Sequence, residues 1–583
     1  MSDGTLFDVL ARASASAHGV RFLDHHERET FFSYGELHGR SCRAGRWLSE
    51  AGVRTGDHVA IVMATGVGFF DAFFGAMACG AVPVPLYPPV RLGRLDDYHE
   101  RTAAMLAACD AKILVTERRV HRVLGRTVER FQPEYGVASI ESLIMTATEP
   151  SKPVPLNPDD VAFIQFSSGT TARPKPIRLT HRQVLANVAA ITDQILTAYP
   201  EVDGRVHGGC SWLPLYHDMG LVGCVFVAMA RPRDLTLIPP ESFLARPAIW
   251  LRALSASRAT ISPAPNFAYS LCVDRVRADE LDGVDLSNWL IALNGAEPVT
   301  PSALERFVER FSEYGLPRTS LTPVYGLGEA TLAVTFSALD APWRWRRFDR
   351  EALVLKGEAV SVRDGGMELV SLGPPLPGFD VCIRDENHDA LDEGRLGRVW
   401  ISGPSIMSGY HRMELENEQV FDADWLDTGD RGFLFGGELY LFGREKDTIV
   451  LHGRNYAAQD IERALDGLNG IRAGCCAAVG VLGDAGEALH LLVETPLDDE
   501  PARRVLVQQI REAVLERCAL PATVVLLERG ALPRTSSGKI SRVRARELFS
   551  ADALTPPKRV TALGLTGELV RSFLAHRRAR SER

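Results

Sequence analysis

The segment FIQFSSGTTARPKPIRLTH, residues 163–181, decides the fold and gives the first indication of function. Hydroxyl side chains surround Gly169, and a lysine follows them: Ser167, Ser168, Thr170, Thr171 and Lys175. Backbone amides and hydroxyls around a glycine form a concave surface of donors, and the lysine adds a positive charge. The segment therefore predicts a phosphate-binding loop. The alternative is an ordinary Ser/Thr/Gly turn between two strands.

The loop differs from the common nucleotide-binding loop, in which a G-x-x-x-x-G-K-[ST] motif leads directly into a helix. Here Pro176 follows the lysine, and proline has no amide to donate. Residues 177–179 predict a short strand, and the helix begins only at Thr180, which has capping-box spacing with Gln183. The sequence therefore predicts a strand, a hydroxyl-rich turn, a second strand and then a helix.

Length and composition restrict the class of protein. At 583 residues the chain is too long for one core, and the net charge of -9 argues against a general nucleic-acid binder. The ten cysteines form no CxxC pair, which is typical of reduced thiols. The N-terminus lacks the apolar core of a signal peptide, and the apolar region 59–90 is interrupted by glycines and prolines. We expect a cytoplasmic protein without integral membrane association.

Strand-like runs alternate with helix-like segments through most of the first 440 residues, which predicts an α/β architecture with largely buried sheets. Beyond about residue 370, short strands and turns predict a β-rich subdomain. We expect a large N-terminal domain, 1–445, of sheets with packed helices plus this subdomain, followed by a small mobile α+β domain, 446–549. The last stretch, 550–583, is basic and is expected to be a solvated or partly disordered end, in which Leu563 to Leu574 could form one or two amphipathic turns at most.

Several further segments combine a turn with chemically useful side chains. They are LPLYHDMG (213–220) with His217 and Asp218, NGAEP (294–298) with Gly295 and Ala296, YGLGEA (325–330) with Tyr325, Gly326, Leu327 and Glu329, DTGD ending at Asp430, GREKD (443–447) with Arg444 and Lys446, and PRTSSGK ending at Lys539. An aromatic ring with a glycine and a carboxylate can stack a base and hold a hard cation. Taken singly, each segment is more often an ordinary turn or a solvated loop.

The order of these segments resembles the adenylate-forming superfamily, which includes acyl-CoA synthetases, nonribosomal adenylation domains and firefly luciferases. The resemblance covers about Ser33 to Phe549. LPLYHDMGLVG (213–223), YGLGEATLAVTF (325–336) and GREKDTIVLHGRNYAAQDIE (443–462) are most similar to fatty acyl-AMP ligases. The stretch PWRWRRFDREALVLKGEAV (342–360) resembles an insertion of that group, which we place at about 340–368. In that family the insertion is associated with poor use of coenzyme A and with transfer to a carrier protein.

The resemblance implies an ATP-dependent ligase of lipid metabolism or natural product biosynthesis. It would convert a fatty acid to an acyl-adenylate and load a separate phosphopantetheinylated acyl carrier protein. The loop with Ser167, Ser168, Gly169, Thr170, Thr171 and Lys175 would hold the β- and γ-phosphates. The other implied roles are Mg²⁺ binding by Glu329 and Thr170, transition-state stabilisation by Lys539, adenine binding by Gly295, Ala296, Tyr325, Gly326 and Leu327, ribose binding by Asp430 and Arg444, acyl binding by His217 and Asp218, and a hinge at Lys446.

Some positions depart from the family pattern. Ala172 and Pro176 stand where many members have glycines, so we expect a stiffer loop. Asn455 stands where many CoA synthetases have arginine, and Tyr456-Ala457 replaces the more usual His/Tyr-Pro of the ligase group. Two alternatives remain: an acyl-CoA synthetase with the same first step, and a catalytically impaired homologue that binds the adenylate. We expect the acceptor to be a separate protein, because the stretch after Phe549 lacks a phosphopantetheine serine motif.

Overall fold

The structure, a computed structural model, describes residues 4–89, 92–142, 150, 152–167, 174–202, 206–451, 454–471, 474–483, 486–535, 539–557, 569 and 571–575. A large hydrophobic cluster contains buried side chains from Leu6 to Leu439. A separate cluster between Ile449 and Leu520 forms the core of a smaller C-terminal unit. The predicted α/β fold with a small α+β unit is confirmed. The domain boundary at residue 445 stays a prediction.

The largest sheet has the strand order β14-β13-β12-β11-β9-β10-β1-β2. Its inner strands pair in parallel, and the two edge strands, β2 and β14, pair antiparallel. Such parallel strands are buried on both faces, which explains their nearly continuous apolar runs. The bounds are β1 Gly19–Leu23, β2 Glu29–Ser33, β9 Gly209–Ser211, β10 Leu235–Leu237, β11 Ile261–Ala264, β12 Ile291–Asn294, β13 Leu321–Gly326 and β14 Ala333–Phe336.

A second parallel sheet has the order β4-β3-β5-β6, and next to it lies the antiparallel pair β7-β8. The bounds are β3 His58–Val62, β4 Val82–Leu86, β5 Ala111–Thr116, β6 Val137–Ser139, β7 Val161–Phe166 and β8 Pro176–Thr180. The apolar region 59–90, which we judge too interrupted to cross a membrane, contains most of β3, helix Val67–Ala78 and β4. The strand pair around the predicted phosphate loop is also confirmed.

Local signals explain where several helices begin. Thr180 Oγ1 accepts from the Gln183 amide at 3.2 Å, and Gln183 Oε1 accepts from the Thr180 amide at 2.9 Å, which is the predicted capping box.

The α-helices are Leu6–Ala13, Tyr34–Glu50, Val67–Ala78, Leu95–Ala108, Arg118–His121, Gly125–Arg130, His181–Ala198, Asp218–Gly220, Val227–Ala230, Pro240–Ala245, Ala248–Ser257, Asn266–Arg275, Pro301–Phe311, Glu414–Val420, Ala458–Glu462, Glu500–Cys518 and Arg542–Ser550.

Shorter helical pieces connect these elements. Leu221–Phe226 and Ala352–Lys356 form π-helices. The 3₁₀-helices are Leu92–Arg94, Ala278–Glu280, Ser312–Tyr314, Arg318–Ser320, Gly328–Ala330, Glu445–Asp447 and Arg463–Leu465. Across the described ranges, no helix combines the length and the apolarity that crossing a membrane requires.

The β-rich part of the structure contains two sheets and begins earlier than the predicted residue 370. The first sheet, β16-β15-β17, lies mostly within the predicted insertion, where no strands were expected: β15 Trp345–Phe348, β16 Ser361–Val362 and β17 Met367–Val370. The second follows the order β18-β19-β21-β20, with β22 also paired to β21. Its strands are β18 Asp380–Arg384, β19 Gly397–Ser402, β20 Phe421–Asp422, β21 Trp425–Phe435 and β22 Glu438–Arg444.

The C-terminal unit has a hairpin and a three-stranded sheet packed with helices Glu500–Cys518 and Arg542–Ser550. Its strands are β23 Thr448–Leu451, β24 Arg454–Ala457, β25 Cys476–Gly483, β26 Gly486–Glu494 and β27 Thr523–Leu527. The expectation of a solvated tail after residue 550 is wrong for one part of it. Residues 571–575 are helical, and Ser572 and Ala575 are fully buried because small side chains allow close packing.

Candidate active site

The predicted site segments meet at one edge of the large sheet. Strands β9, β11, β12 and β13 are parallel neighbours, so their carboxyl ends lie at the same edge. Gly295 and Ala296 directly follow β12, and Tyr325 and Gly326 end β13. Ligands of open α/β sheets bind at the carboxyl ends of the strands. The fold therefore brings distant turns together in the place where a binding crevice is expected.

Lys539 reaches this edge from the C-terminal unit. Its Nζ donates a hydrogen bond to the carbonyl oxygen of Ala296. Burial lowers the pKa of Lys539, and Arg444 acts in the same direction, while the carboxylate of Glu297 opposes the shift. Ala296 has a φ of 67°, a left-handed conformation that is uncommon outside glycine. The turn after β12 thus has a strained backbone at Ala296, and the carbonyl oxygen of this residue accepts the hydrogen bond from Lys539.

Asp430, Arg444 and Tyr325 form a polar cluster beside this turn. Asp430 and Arg444 lie opposite each other in β21 and β22, and Arg444 Nε donates to Asp430 Oδ1 at 3.0 Å. The Tyr325 hydroxyl donates to Asp430 Oδ2 at 2.7 Å. Asp430 is only 4% exposed, and its charge raises the pKa of Arg444. Burial raises the pKa of Tyr325, so the phenol keeps its proton.

Close backbone packing explains the glycine after Tyr325. A Cβ atom on Gly326 would lie 1.7 Å from the carbonyl oxygen of Leu332, which no side chain could tolerate. Leu327 is buried next to it, and Gly328 begins the 3₁₀ turn that carries Glu329. The YGLGE segment is therefore a tightly packed turn at the end of β13.

The predicted phosphate loop is described only at its two ends. Ser168, Gly169, Thr170, Thr171 and Ala172 lie outside the described residues. At the base of the loop, the Ser167 amide donates to Lys175 O at 2.9 Å, and the Lys175 amide donates to Ser167 Oγ at 3.1 Å. Pro176 begins β8, a position where proline interrupts the ladder least, and its carbonyl accepts from the His411 amide at 2.8 Å.

Tyr410 connects this loop to Glu329 and was missed in the sequence analysis. Its hydroxyl donates to Glu329 Oε1 at 2.9 Å, and the Lys175 ammonium lies 4.5 Å from the centre of its ring. Burial raises the pKa of Glu329, and the Tyr410 hydroxyl opposes that rise. Tyr410 is held by an antiparallel bridge to Ile177 in β8. Its sequence signal is weak, since only Gly409 before it distinguishes the position.

His217 and Asp218 form a close pair beside the YGLGE turn, where a Cβ atom on Gly328 would lie 3.5 Å from Asp218 Oδ2. His217 Nδ1 lies 2.5 Å from Asp218 Oδ1, which also accepts from the Met219 amide at 2.7 Å. Burial acts to raise the pKa of Asp218, but His217, the Met219 amide and Lys539 together lower it below its usual range. Nearby, Glu297 Oε1 accepts from the Phe267 amide at 2.6 Å. Glu297 stands in the NGAEP turn, where the sequence alone indicates no role for it.

A set of ion pairs fixes the Lys539 loop to the predicted hinge. Arg542 Nη1 donates to Asp447 Oδ2 at 3.0 Å, and its Nε and Nη2 atoms contact the two oxygens of Glu462 at 2.7 and 2.6 Å. Asp447 adjoins Lys446, which is exposed in the 3₁₀ turn Glu445–Asp447. The sequence does not indicate these pairs, because arginine and glutamate on a helix usually indicate a solvated surface.

A narrow cavity of about 60 Å³ lies at the amino ends of strands β9, β10 and β11. Helix His181–Ala198, the π-helix Leu221–Phe226 and strands β9 and β11 enclose it. Its apolar lining includes Ile195, Cys210, Cys224, Val227 and Ile261. The helical segment that begins at Asp218 continues along this cavity, so one continuous element extends from the polar crevice to an apolar interior.

Comparison with known proteins identifies the family. The model of the "AMP-binding enzyme" family matches residues 11–411. A putative acyl-CoA synthetase of Caulobacter vibrioides is 32% identical over 524 residues, which span 89% of this chain and 90% of the relative. The long-chain-fatty-acid–AMP ligase FadD26 of Mycobacterium tuberculosis is 32% identical over 547 residues, spanning 89% and 91%. A solved structure from studies of fatty acyl-adenylate ligases of E. coli and L. pneumophila superposes with a TM-score of 0.88 at 33% identity, covering 95% of this chain and 99% of its own. The family resemblance of the motifs is thereby confirmed, and the chain belongs to the AMP-binding enzyme family.

Proposed function

We propose that this chain is a fatty acyl-AMP ligase that activates a fatty acid with ATP and passes the acyl group to a carrier protein. The observation that carries the proposal is the position of Lys539. Its ammonium group contacts the Ala296 carbonyl at the sheet edge, next to the cluster of Asp430, Arg444 and Tyr325. A partly buried cation beside a cluster of polar side chains is what attack on a phosphate requires.

In the first step, a carboxylate oxygen of the fatty acid attacks the α-phosphorus of ATP. A new P–O bond forms, the bond from the α-phosphorus to the bridging oxygen breaks, and pyrophosphate leaves. Two anions must approach each other, so cations are needed where negative charge develops. Lys539 would serve the α-phosphate and the acyl carboxylate, and Lys175 would serve the departing pyrophosphate.

The remaining predicted roles fit this arrangement. Asp430 and Arg444 would bind the ribose, and Gly295, Ala296, Tyr325, Gly326 and Leu327 would line the adenine site. Glu329 is a partly buried carboxylate, and Mg²⁺ at phosphate-binding sites takes one or two carboxylates with phosphate oxygens and water as its other ligands. Glu329 therefore fits Mg²⁺, whose charge would neutralise the phosphates when bound. Thr170, the second predicted ligand, lies outside the described residues.

The acyl chain would lie in the cavity lined by Cys224, Val227 and Ile261. His217 and Asp218 stand where the element that borders this cavity begins, so they would orient the carboxylate end of the substrate. A π-helix widens a helical surface and is frequent at functional sites, and here it supplies Gly223 and Cys224 to the cavity wall. An apolar interior favours an alkyl chain over an amino acid.

In the second step, a thiol sulfur attacks the acyl carbonyl carbon of the adenylate. A C–S bond forms, the bond between that carbon and the AMP oxygen breaks, AMP leaves, and the thiol proton passes to solvent. We propose that residues 446–549 form a domain that rotates about Lys446 between the two steps. The hinge residue is exposed, and a short turn there can absorb backbone rotation.

Contacts of the insertion support a carrier protein as the acceptor. Arg350, within the predicted insertion, forms an ion pair with Asp460 of the C-terminal unit, and its Nη2 lies 3.3 Å from Asp460 Oδ1. Arg463 Nη1 of the same unit donates to Glu368 O at 3.2 Å. These contacts tie the insertion to the C-terminal unit and so limit the orientations that this unit can adopt. A small acceptor such as coenzyme A would then find fewer orientations in which it can react.

The test is ATP-dependent adenylate formation over straight-chain fatty acids of graded length, with amino acids and aryl acids in the same panel, read by mass spectrometry. We expect acyl-adenylates from fatty acids alone. A preference for amino acids or aryl acids would sink the fatty acyl assignment. Absence of any adenylate over the whole panel would favour the impaired homologue.

The acyl-CoA synthetase remains a second candidate because one of the similar proteins is named a putative acyl-CoA synthetase. Supplying coenzyme A and phosphopantetheinylated carrier proteins side by side separates the two functions. We expect thioester to form faster on a carrier protein. Equal or faster thioester formation on coenzyme A would assign the chain to the synthetases.

A further inference from the structure

The C-terminal tail packs against the N-terminal domain at Gly125. The Gly125 amide donates to Ser572 Oγ at 2.8 Å. A Cβ atom on Gly125 would lie 2.2 Å from the Ser572 carbonyl oxygen and 2.5 Å from its Cα, so the two backbones are in direct contact. Ser572 and Ala575 are fully buried, whereas Phe573 is 65% exposed. The tail thus docks through its small residues, and its aromatic residue faces away.

A second contact joins the tail and the C-terminal unit to the same domain at Arg94. Arg94 Nη2 donates to the carbonyl oxygens of Gly530, Ala531 and Thr555 at 3.2, 3.1 and 2.9 Å. The tail also folds over this loop, since a Cβ atom on Gly530 would lie 3.2 Å from the ring of Pro557. One arginine therefore holds a loop of the C-terminal unit and the start of the tail together.

The two anchor points belong to one unit of the N-terminal domain. Helix Leu95–Ala108, which follows Arg94, and helix Gly125–Arg130 are joined by the ion pair between Arg126 and Asp96. His99 Nδ1 lies 2.8 Å from Thr127 Oγ1 in the buried space between the same helices. The tail is therefore fixed at two places on a single support.

These contacts exist while Lys539 is in the site. The loop held by Arg94 leads directly into the segment that ends at Lys539, and the Leu532 amide between them donates to Glu494 Oε1 at 2.9 Å within the C-terminal unit. Rotation of the unit away from Ala296 would carry Gly530 and Ala531 away from Arg94. The hydrogen bonds at Arg94 must then break.

We propose that the tail, residues 551–557 and 571–575, is a latch that holds the C-terminal unit in the orientation with Lys539 in the site. The latch favours adenylate formation and must release before the acyl group is transferred to the thiol. The proposal of release rests on the proposed function of the second step. The latch contact itself depends only on the observed packing.

Two variants at neighbouring positions test the latch in the full-length protein. Ser572→Trp places a large side chain where Gly125 leaves no space, and Phe573→Trp places the same residue at an exposed position. Hydrogen exchange with ATP present is measured for amides of residues 124–130 and 529–535. We expect exchange about tenfold faster in Ser572→Trp than in Phe573→Trp, as local opening becomes easier. Equal exchange in the two variants would overturn the latch.

Single-turnover kinetics test its consequence. Transfer from preformed acyl-adenylate to a phosphopantetheinylated carrier protein should be about threefold or more faster in Ser572→Trp, since release no longer limits rotation. Adenylate formation should not rise. A transfer rate equal to that of Phe573→Trp would overturn the proposal that release is limiting. If no fatty acid is adenylated, the proposed function fails, and the exchange comparison still decides whether the latch exists.

A second pair of variants is a control for local misfolding of the tail in Ser572→Trp. Arg94→Ala removes the other anchor without changing the tail, and Arg122→Ala changes an exposed arginine in the same region. Arg94→Ala should shift exchange and transfer in the same direction as Ser572→Trp. If it leaves both equal to those of Arg122→Ala, the two-point latch is wrong.

Discussion

The Tyr410 hydroxyl donates a hydrogen bond to Glu329 Oε1 at 2.9 Å, while the ring of the same tyrosine lies under the Lys175 ammonium. One side chain thus connects the proposed metal ligand to the proposed pyrophosphate-binding lysine. Tyr410 is held by pairing between its own segment and β8. Lys175, Glu329 and the strand pair β7-β8 are therefore connected through Tyr410.

Tyr410→Phe removes the donor to Glu329 and keeps the ring under Lys175. A hydrogen bond to a carboxylate lowers its pKa, so its loss raises the pKa of Glu329 above the value that burial already elevates. Less of the carboxylate is then ionised at a given pH. We expect kcat/KM for adenylation to fall about tenfold near neutral pH, and the acidic limb of the pH profile to move to higher pH. Tyr98→Phe, which removes a hydroxyl bonded to a backbone carbonyl elsewhere, is the control. An unmoved acidic limb would contradict the role of Tyr410.

Arg542→Lys tests whether the ion pairs with Asp447 and Glu462 position Lys539. Lysine keeps the charge but cannot reproduce the two parallel contacts to Glu462. We expect kcat for adenylation to fall about tenfold with little change in the KM for ATP, because misplacement of a catalytic group by about 1 Å is costly. Arg544→Lys, at a more exposed position of the same helix, is the matched control. Equal kcat values for the two variants would show that Arg542 is not needed for positioning.

His181 makes stability depend on pH. Burial lowers the pKa of His181 to about 4, and its Nδ1 accepts from the Leu6 amide at 3.1 Å. The unfolded chain binds the proton more tightly than the folded protein does. The contribution of His181 to the free energy of unfolding is therefore fully present above about pH 6.5 and is lost as the pH falls toward 4. The loss amounts to about 3 kcal/mol. His181→Asn keeps an acceptor without a titrating group, and should flatten this part of the curve in chemical denaturation.

The control for that experiment is His26→Asn, at an exposed position. It should retain the pH dependence of the parent protein. A curve for His181→Asn that still parallels the parent between pH 6.5 and 4 would rule out His181 as the cause.

Arg350→Ala tests the link between the insertion and acceptor choice. The substitution frees Asp460 and loosens the tie between the insertion and the C-terminal unit. We expect thioester formation on coenzyme A to rise about threefold or more relative to that on a carrier protein, since more orientations of the unit become accessible. Arg363→Ala changes an exposed arginine of the same insertion. If both variants give the same acceptor ratio, the contact does not control specificity.

The sequence predicted those features that depend on local pattern. The strands on either side of the phosphate loop, the capping box at Thr180 and the strand-end turns at Gly295 and Tyr325 all follow from short stretches of chain. The order of the motifs supplied the family. These signals are local, so a single sequence contains them.

The missed features depend on contacts between distant segments. Tyr410 acquires its place because its segment pairs with β8, and nothing near Tyr410 in the sequence indicates this. The tail was expected to be solvated because it is basic, but its docking depends on Ser572 meeting a glycine far away in the chain. Such complementarity between small residues leaves no periodic pattern.

The most direct test of the account is the rate of each half-reaction in Lys539→Ala. Loss of a cation from the adenylation transition state should lower pyrophosphate release with ATP and fatty acid by about 100-fold or more. Transfer from supplied acyl-adenylate to a carrier protein should remain near the parent rate. Lys112→Ala, which removes a lysine paired with Glu134 on the surface, is the control. Pyrophosphate release at the parent rate in Lys539→Ala would contradict the central claim.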